Sequence, residues 1–192
     1  MRPGFVVTSL RRSSHLALLA TLLAPCALAQ GAGAGSPPTP AAAAAAAAPS
    51  CDEPAHHEFD FWVGEWEVRL PDGRLAGTNR IERLLDGCVL QEHWRSAGAG
   101  HGTSLNFYDR ITRQWNQVWI DAQGGVLRLT GTRQGDAMVL TGVQPDSAGS
   151  PVRQRITWTP RADGSVRQLW ETSADGRSWT VAFDGSYRRA GR

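Results

Sequence analysis

Short segments in which apolar and polar residues alternate follow one another from Phe59 almost to the C-terminus. A period of two is typical of β-strands that bury one face, and these segments are rich in the Val, Ile, Thr, Trp and Tyr that strands favour. The alternation predicts about ten strands and no convincing helix. The predicted strands lie near Phe61–Leu70, Leu75–Leu85, Val89–Ser96, Thr103–Arg110, Gln114–Ala122, Val126–Thr132, Ala137–Val143, Val152–Thr159, Val166–Thr172 and Ser178–Arg188.

Short connections rich in Asp and Gly separate these segments. They contain Asp72-Gly73, Asp86-Gly87, Gly124-Gly125, Gly135-Asp136, Asp163-Gly164 and Asp175-Gly176. Such residues tolerate the positive φ angles of hairpin turns, so neighbouring strands should run antiparallel. A meander of this kind is stable as a closed barrel or as a two-sheet sandwich. Because the spacing is even, we predict an all-β fold, an antiparallel up-and-down β-barrel of about ten strands.

The N-terminal region has the pattern of an export signal followed by a tether. Arginines precede an apolar stretch from Leu16 to Leu28, and Ala27-Leu28-Ala29 offers the small residues of a cleavage site. The stretch is too short to span a membrane, and attachment of a lipid to Cys26 is disfavoured by Pro25. We predict a signal peptide (1–29), an Ala/Pro/Gly-rich linker (30–50) and a β-domain (51–192), in a periplasmic or secreted protein.

Composition and charge exclude three classes of function. All 20 basic residues are arginines, so no lysine is available as a Schiff-base nucleophile or general base. The formal net charge of +2 becomes −1 when Arg2, Arg11 and Arg12 leave with the predicted signal peptide, because 17 arginines then stand against 18 acidic residues. Such a domain does not attract nucleic acid or an anionic membrane surface.

Two cysteines remain after the predicted cleavage, Cys51 and Cys88. In an oxidising compartment a disulfide between them is the first expectation. It would fasten the start of the domain to a later strand. Two separate buried thiols are the alternative.

Several motifs carry a resemblance to a known family. They are Phe59-Asp60-Phe61-Trp62-Val63-Gly64-Glu65-Trp66, Gly87-Cys88-Val89-Leu90 followed by Glu92 and Trp94, Tyr108-Asp109, Trp119-Ile120-Asp121, Thr157-Trp158-Thr159-Pro160 and Phe183-Asp184-Gly185-x-Tyr187. Together they resemble a bacterial family of exported, lipocalin-like (calycin-type) domains of unknown function. The resemblance covers residues 51–188. It implies a barrel in which Gly64 permits close backbone approach and Trp66 packs across one end, and it implies no catalytic residue.

Alternation within each strand assigns lumenal residues once Trp66 is taken as inward. On the fourth strand polarity leaves both faces open, and the resemblance selects the face with Asn106 and Tyr108. A pair between Arg155 and Glu92 would satisfy two buried charges. The candidate ligand-binding residues are Glu92, Trp94, Asn106, Tyr108, Gln117, Trp119, Arg155, Gln168 and Trp170.

This lining favours a barrel that binds a small amphipathic or ring-containing ligand by stacking and hydrogen bonds. Two alternatives stay open. One is a barrel filled by its own side chains that acts as a structural or protein-interaction module, and the other is an enzyme that uses Glu92, Tyr108 and Arg155. No catalytic residue, cofactor or metal is assigned, because no catalytic motif is present and the spacing of His56, His57 and Asp60 indicates solvated linker side chains rather than a metal site.

Overall fold

The computed structural model of the chain describes residues 50–191, which form a closed barrel of ten antiparallel strands. The strands are β1 (Gly64–Arg69), β2 (Leu75–Leu84), β3 (Val89–Ser96), β4 (His101–Asp109), β5 (Gln114–Asp121), β6 (Val126–Gln134), β7 (Ala137–Pro145), β8 (Pro151–Pro160), β9 (Val166–Ser173) and β10 (Thr180–Arg189). Each strand pairs with the next in the chain, and β1 also pairs with β10. The predicted fold class is confirmed. The predicted signal peptide and nearly all of the predicted linker lie outside the described residues.

The pairing of β1 with β10 closes the barrel, and Gly64 leaves room beside it for the Arg189 side chain. Trp66 lies opposite Arg189 across this pair. The Arg189 guanidinium stacks over the Trp66 ring, 3.9 Å from its centre, and donates a hydrogen bond to the Val63 carbonyl at 2.6 Å. Gly64 has a φ of 136°, and a side chain there would overlap this guanidinium. Only glycine accepts both constraints at this position.

One end of the barrel, which we call the closed end, is filled by the segment that precedes β1. Phe59 and Trp62 are fully buried there, with their rings stacked 5.0 Å apart, and Trp158 packs against both. The Trp66 indole N–H donates to the Trp62 carbonyl at 2.8 Å. The prediction that a strand begins at Phe61 is wrong, because Asp60–Trp62 is a 3-10 helix. Its helical turn allows Phe59 and Trp62, three residues apart, to enter the same core.

A second 3-10 helix, Pro54–His57, corrects the interpretation of the two adjacent histidines. His56 is buried rather than solvated, and its ring packs edge-on against Tyr108 at 5.2 Å. His57 is exposed and its Nδ1 lies 2.7 Å from Asp60 Oδ2. Asp60 also pairs with Arg83. The side chains of His56 and His57 therefore lie in different environments, one buried and one exposed.

The predicted bridge between Cys51 and Cys88 is confirmed. Cys51 precedes the Pro54–His57 helix, and Cys88 directly precedes β3. The bridge therefore fastens the segment that fills the closed end to the wall of the barrel.

The opposite end, which we call the open end, is formed where loops 70–74, 97–100, 122–125, 146–150 and 174–179 join the strands. No comparable segment of residues 50–191 folds into the lumen there. Among the described residues, no helix is long and apolar enough to cross a membrane.

Candidate functional site

A cavity of about 220 Å³ occupies the lumen at the open end. It is lined by Glu92, Trp94, Gln117, Trp119, Leu127, Ile156, Gln168, Trp170, Ala182, Phe183 and Tyr187. Six of the nine residues predicted to bind a ligand are among them. These residues come from β3, β5, β6, β8, β9 and β10, so the register of the whole barrel determines the shape of the cavity.

Aromatic side chains dominate the wall near the mouth. Trp94, Trp119, Trp170 and Phe183 are all half-buried, with part of each side chain still accessible. Trp94 and Phe183 meet edge-to-face with ring centres 6.1 Å apart. The Trp170 indole N–H donates to Gln154 Oε1 at 2.8 Å, which fixes the orientation of that ring. The wall is therefore apolar, ordered and reachable from solvent.

Two glycines leave room for two of these rings to lie against the wall. A Cβ atom at Gly102 would lie 2.4 Å from the Trp119 ring, and one at Gly185 would lie 2.5 Å from the Phe183 ring. Both distances are far shorter than a van der Waals contact, so a larger residue would force the rings to move. Glycine at these positions lets the aromatic side chains lie along the strands and leaves the lumen open.

The floor of the cavity is polar and centres on Glu92, which is 5% exposed. Asn79 Nδ2 donates to Glu92 Oε1 at 2.7 Å, and Ser104 Oγ donates to Glu92 Oε2 at 2.6 Å. No arginine or histidine of the described region forms an ion pair with this carboxyl. Each oxygen accepts one protein hydrogen bond and retains capacity for another.

The hydrogen bonds continue on both sides of Glu92. On one side Asn106 Nδ2 donates to Ser104 Oγ at 2.9 Å, and Gln117 Nε2 donates to Asn106 Oδ1 at 2.8 Å. On the other side the Tyr187 hydroxyl donates to Gln168 Oε1. Asn79 Nδ2 lies 3.4 Å from that hydroxyl and connects the two parts. These groups form one polar network across the lumen.

The electrostatics of the floor follow from its burial. Burial raises the pKa of the Glu92 carboxyl above its ordinary value, although the hydrogen bonds from Ser104 and Asn79 act in the opposite direction. Burial also raises the pKa of Tyr187 well above the usual value for a phenol, and the Glu92 charge adds to that effect. Tyr187 therefore stays a neutral hydrogen-bond donor.

The prediction that Arg155 faces the lumen is wrong. Arg155 lies on the outer face of β8, where its Nε donates to Glu171 Oε2 at 3.0 Å and its guanidinium stacks over Trp179. The inward residues of β8 are Gln154, Ile156 and Trp158. Burial of the two apolar side chains on this face is favourable, whereas burial of a charged arginine would be costly. The predicted pair between Arg155 and Glu92 is therefore absent.

Asn106 and Tyr108 face inward as predicted but do not line the cavity. Asn106 is fully buried in the polar network below it. Tyr108 lies at the closed end, against His56 and Trp115. The structure therefore does not bring Glu92, Tyr108 and Arg155 together. These three residues do not form the active site that the enzyme alternative would require.

Sequence reasoning missed six contributors to the site. Five line the cavity, namely Leu127, Ile156, Ala182, Phe183 and Tyr187, and the sixth, Asn79, belongs to the polar network. Alternation along β10 places Phe183, Gly185 and Tyr187 on one face, and this signal was present in the sequence. Alternation also carried a signal for Asn79, because Asn79 shares a face of β2 with Ile81 while the charged Arg80 and Glu82 lie on the other.

Comparison with known proteins adds no identification. No model of a known protein family matches the chain, and no curated protein shows significant similarity to it.

Replacing Glu92 with glutamine tests the charge of the floor. A carboxyl whose pKa is raised in the folded state contributes stability below its unfolded pKa, near 4.5, and this stability is lost as the pH rises through the folded pKa. We expect E92Q to lack this loss and to be more stable than the wild type at neutral pH. The introduced glutamine can keep both contacts, because its amide would donate to the Ser104 hydroxyl. Urea unfolding between about pH 4 and pH 8 measures the difference.

Glu82→Gln is the matched control, on the outer face of β2. Hydrogen bonds from His93 and Arg80 lower the pKa of Glu82, so its contribution is present above the unfolded pKa and is lost as the pH falls. We expect E82Q to lose stability at neutral pH, opposite in sign to E92Q. A stability profile of E92Q that runs parallel to that of the wild type would show that Glu92 carries no burial penalty.

Proposed function

We propose that this barrel binds a small amphipathic, ring-containing molecule in the cavity at its open end. The observation that carries the proposal is the contrast between an accessible aromatic wall and a buried polar floor within one cavity of about 220 Å³. Pockets for drug-sized ligands usually measure roughly 300–1,000 Å³. The cavity therefore suits a molecule of about one ring with a short polar substituent, its ring against the tryptophans and its polar group on the floor.

The two ends of the lumen support this division of roles. The closed end is packed by large fully buried side chains, among them Phe59, Trp62 and Trp158. A barrel that only needed a core could be filled in the same way along its whole length. At the open end Gly102 and Gly185 instead leave room for the Trp119 and Phe183 rings to lie against the wall, away from the lumen axis. The sequence thus keeps space at one end while it fills the other.

We also propose that the protein is exported and that it belongs to the lipocalin-like family. The bridge between Cys51 and Cys88 supports folding in an oxidising compartment such as the periplasm or the extracellular space. The position of Trp66 across the closed end supports the resemblance. A small-molecule carrier or sensor outside the cytoplasm is consistent with both.

Tryptophan fluorescence titration against a panel of small ring-containing metabolites tests the binding. Trp94, Trp119 and Trp170 line the cavity, so a ligand that enters it should change their emission. We expect Ala182→Phe to weaken any such binding by about tenfold or more, because Ala182 is at the mouth and a phenyl group there would occupy the ligand's space.

Val181→Phe is the matched control, since Val181 is the neighbouring residue, is 56% exposed and does not line the cavity. V181F should bind as the wild type does. Equal binding by A182F would place the ligand elsewhere. Absence of any saturable response from the folded protein across the panel would contradict the proposed function.

A further inference from the structure

The charge state of the cavity restricts the chemistry of its ligand. Glu92 and Tyr187 are the ionisable side chains that line it, and no arginine, lysine or histidine of residues 50–191 does so. Tyr187 is neutral, as described above. The cavity therefore presents one carboxyl group, that of Glu92, and no basic side chain.

A buried carboxylate without a cationic partner is an unusual arrangement. Removing an ion from water is costly unless an opposite charge or several hydrogen bonds compensate for it. Glu92 receives two hydrogen bonds, from Asn79 and Ser104, and both donors are neutral. The carboxylates of the described region that do form ion pairs have arginine or histidine partners on the outside of the barrel, as Asp184 has in Arg167. Among the described residues that line the cavity, Glu92 is the only carboxylate.

The neutral polar groups of the floor favour donors on the ligand. Gln117 uses its Nε2 to donate to Asn106, which leaves its carbonyl oxygen available in the described structure. Gln168 uses its Oε1 to accept from Tyr187, which leaves its amide nitrogen. Together with the free lone pairs of Glu92, the floor offers more acceptors than donors. Among the side chains of the floor, an anionic ligand would find the Gln168 amide nitrogen as its one donor, close to the Glu92 carboxyl group.

The wall adds a second attraction for positive charge. Trp94, Trp119, Trp170 and Phe183 surround the space above the floor. Aromatic rings attract cations through their negative π-faces, tryptophan most strongly, and the attraction increases where water is excluded. A cavity that combines several such rings with one carboxylate matches an organic ammonium group better than a neutral or anionic one.

We infer that the cavity selects a small organic cation, an ammonium group attached to a ring or a short apolar chain, with Glu92 as its counter-ion. This inference rests on the proposed function and names the ligand class of the same cavity. The ammonium group lies on the floor, where Glu92 and Gln117 accept its hydrogen bonds. The apolar part lies among the tryptophans and points towards the mouth.

Calorimetric titration with three probes of the same ring and different charge tests the inference. The probes are benzylammonium, benzyl alcohol and benzoate. We expect benzylammonium to bind the wild-type protein about tenfold or more tightly than benzyl alcohol, and benzoate to bind most weakly. In E92Q we expect the preference for benzylammonium over benzyl alcohol to disappear, so that the two probes bind with similar affinity.

The outcomes separate the inference from the proposed function. If benzyl alcohol or benzoate binds the wild-type protein as tightly as benzylammonium, the cavity binds rings without selecting a cation, and the inference is wrong while the proposed function stands. If E92Q retains the full preference for benzylammonium, Glu92 is not the counter-ion and the inference is wrong. If none of the probes binds and the metabolite panel also gives no response, both fail. The comparison of probes on the wild-type protein does not depend on the folding of any variant.

Discussion

Replacing Trp62 with alanine is expected to lower the free energy of unfolding by about 3–5 kcal/mol, the range for removing a large buried aromatic side chain. Trp62 is fully buried and contacts the rings of Phe59, Trp158 and Tyr187. Its removal leaves a cavity among rigid rings that cannot collapse around it. Urea unfolding followed by near-ultraviolet circular dichroism measures the loss.

Two variants provide the controls for Trp62→Ala. Trp62→Phe should cost less, because a ring remains and because the Trp62 indole N–H, which has no hydrogen-bond partner among the described residues, is removed with it. Ile111→Ala should change stability by less than about 0.5 kcal/mol, since Ile111 is 92% exposed. A cost for W62A that is no larger than that for I111A would show that the closed end does not support the barrel.

The stability of the closed end also matters for the cavity. Tyr187 contacts Trp62 and Trp66 with its ring, while its hydroxyl belongs to the polar floor. Tyr187 therefore belongs both to the aromatic packing of the closed end and to the floor of the cavity. A floor whose donors and acceptors are held in place loses little conformational entropy when a ligand binds. The dense aromatic packing below the floor provides this order.

The strands were predictable because alternation and turn chemistry agree along the chain. Each predicted strand overlaps one of β1 to β10, and the Asp-Gly and Gly-Asp pairs lie in the tight connections where a positive φ is needed, as at Gly73 and Gly164. The main local error concerned residues 60–62. There the spacing of Phe59 and Trp62, typical of a helical turn, was hidden in a run in which nearly every residue is apolar or aromatic.

Arg155 was misplaced because the prediction assigned the wrong face of β8 to the lumen. Ile156 and Trp158 share the opposite face, and their burial determines which way the strand faces. The predicted pair with Arg155 would have given the buried Glu92 carboxyl group a cationic partner. In the structure Asn79 and Ser104, two neutral donors, form hydrogen bonds to Glu92 instead.

The cavity itself could not be predicted from alternation. Whether a lumen is open depends on how rings from different strands lie, and this depends on register. Gly102 pairs with Trp94 on β3 and with Asp121 on β5, and only this pairing shows that the Trp119 ring passes over a position without a side chain. Alternation predicts which residues line the wall, but it does not predict whether a cavity remains between their side chains.

Removing the bridge between Cys51 and Cys88 is expected to lower the free energy of unfolding by about 2–4 kcal/mol. The two cysteines are 37 residues apart, and the closed loop contains the whole segment that fills the closed end together with β1 and β2. Without the bridge this segment gains conformational freedom in the unfolded chain, so folding must order more of it. The double variant C51A/C88A, compared with the wild type by urea unfolding, measures the effect.

Reduction distinguishes the bridge from the loss of two side chains. A reducing agent should destabilise the wild-type protein to the level of C51A/C88A and should not change the double variant. Hydrogen exchange should locate the effect: amides of residues 51–63 should lose protection in the double variant, because the bridge fastens that segment to the wall beside β3, while amides of β6 and β7 should follow only the change in global stability. Two free thiols in the purified, denatured and unreduced protein would show that the bridge does not form. Equal protection of residues 51–63 with and without the bridge would show that the aromatic packing of Phe59 and Trp62 holds the segment by itself.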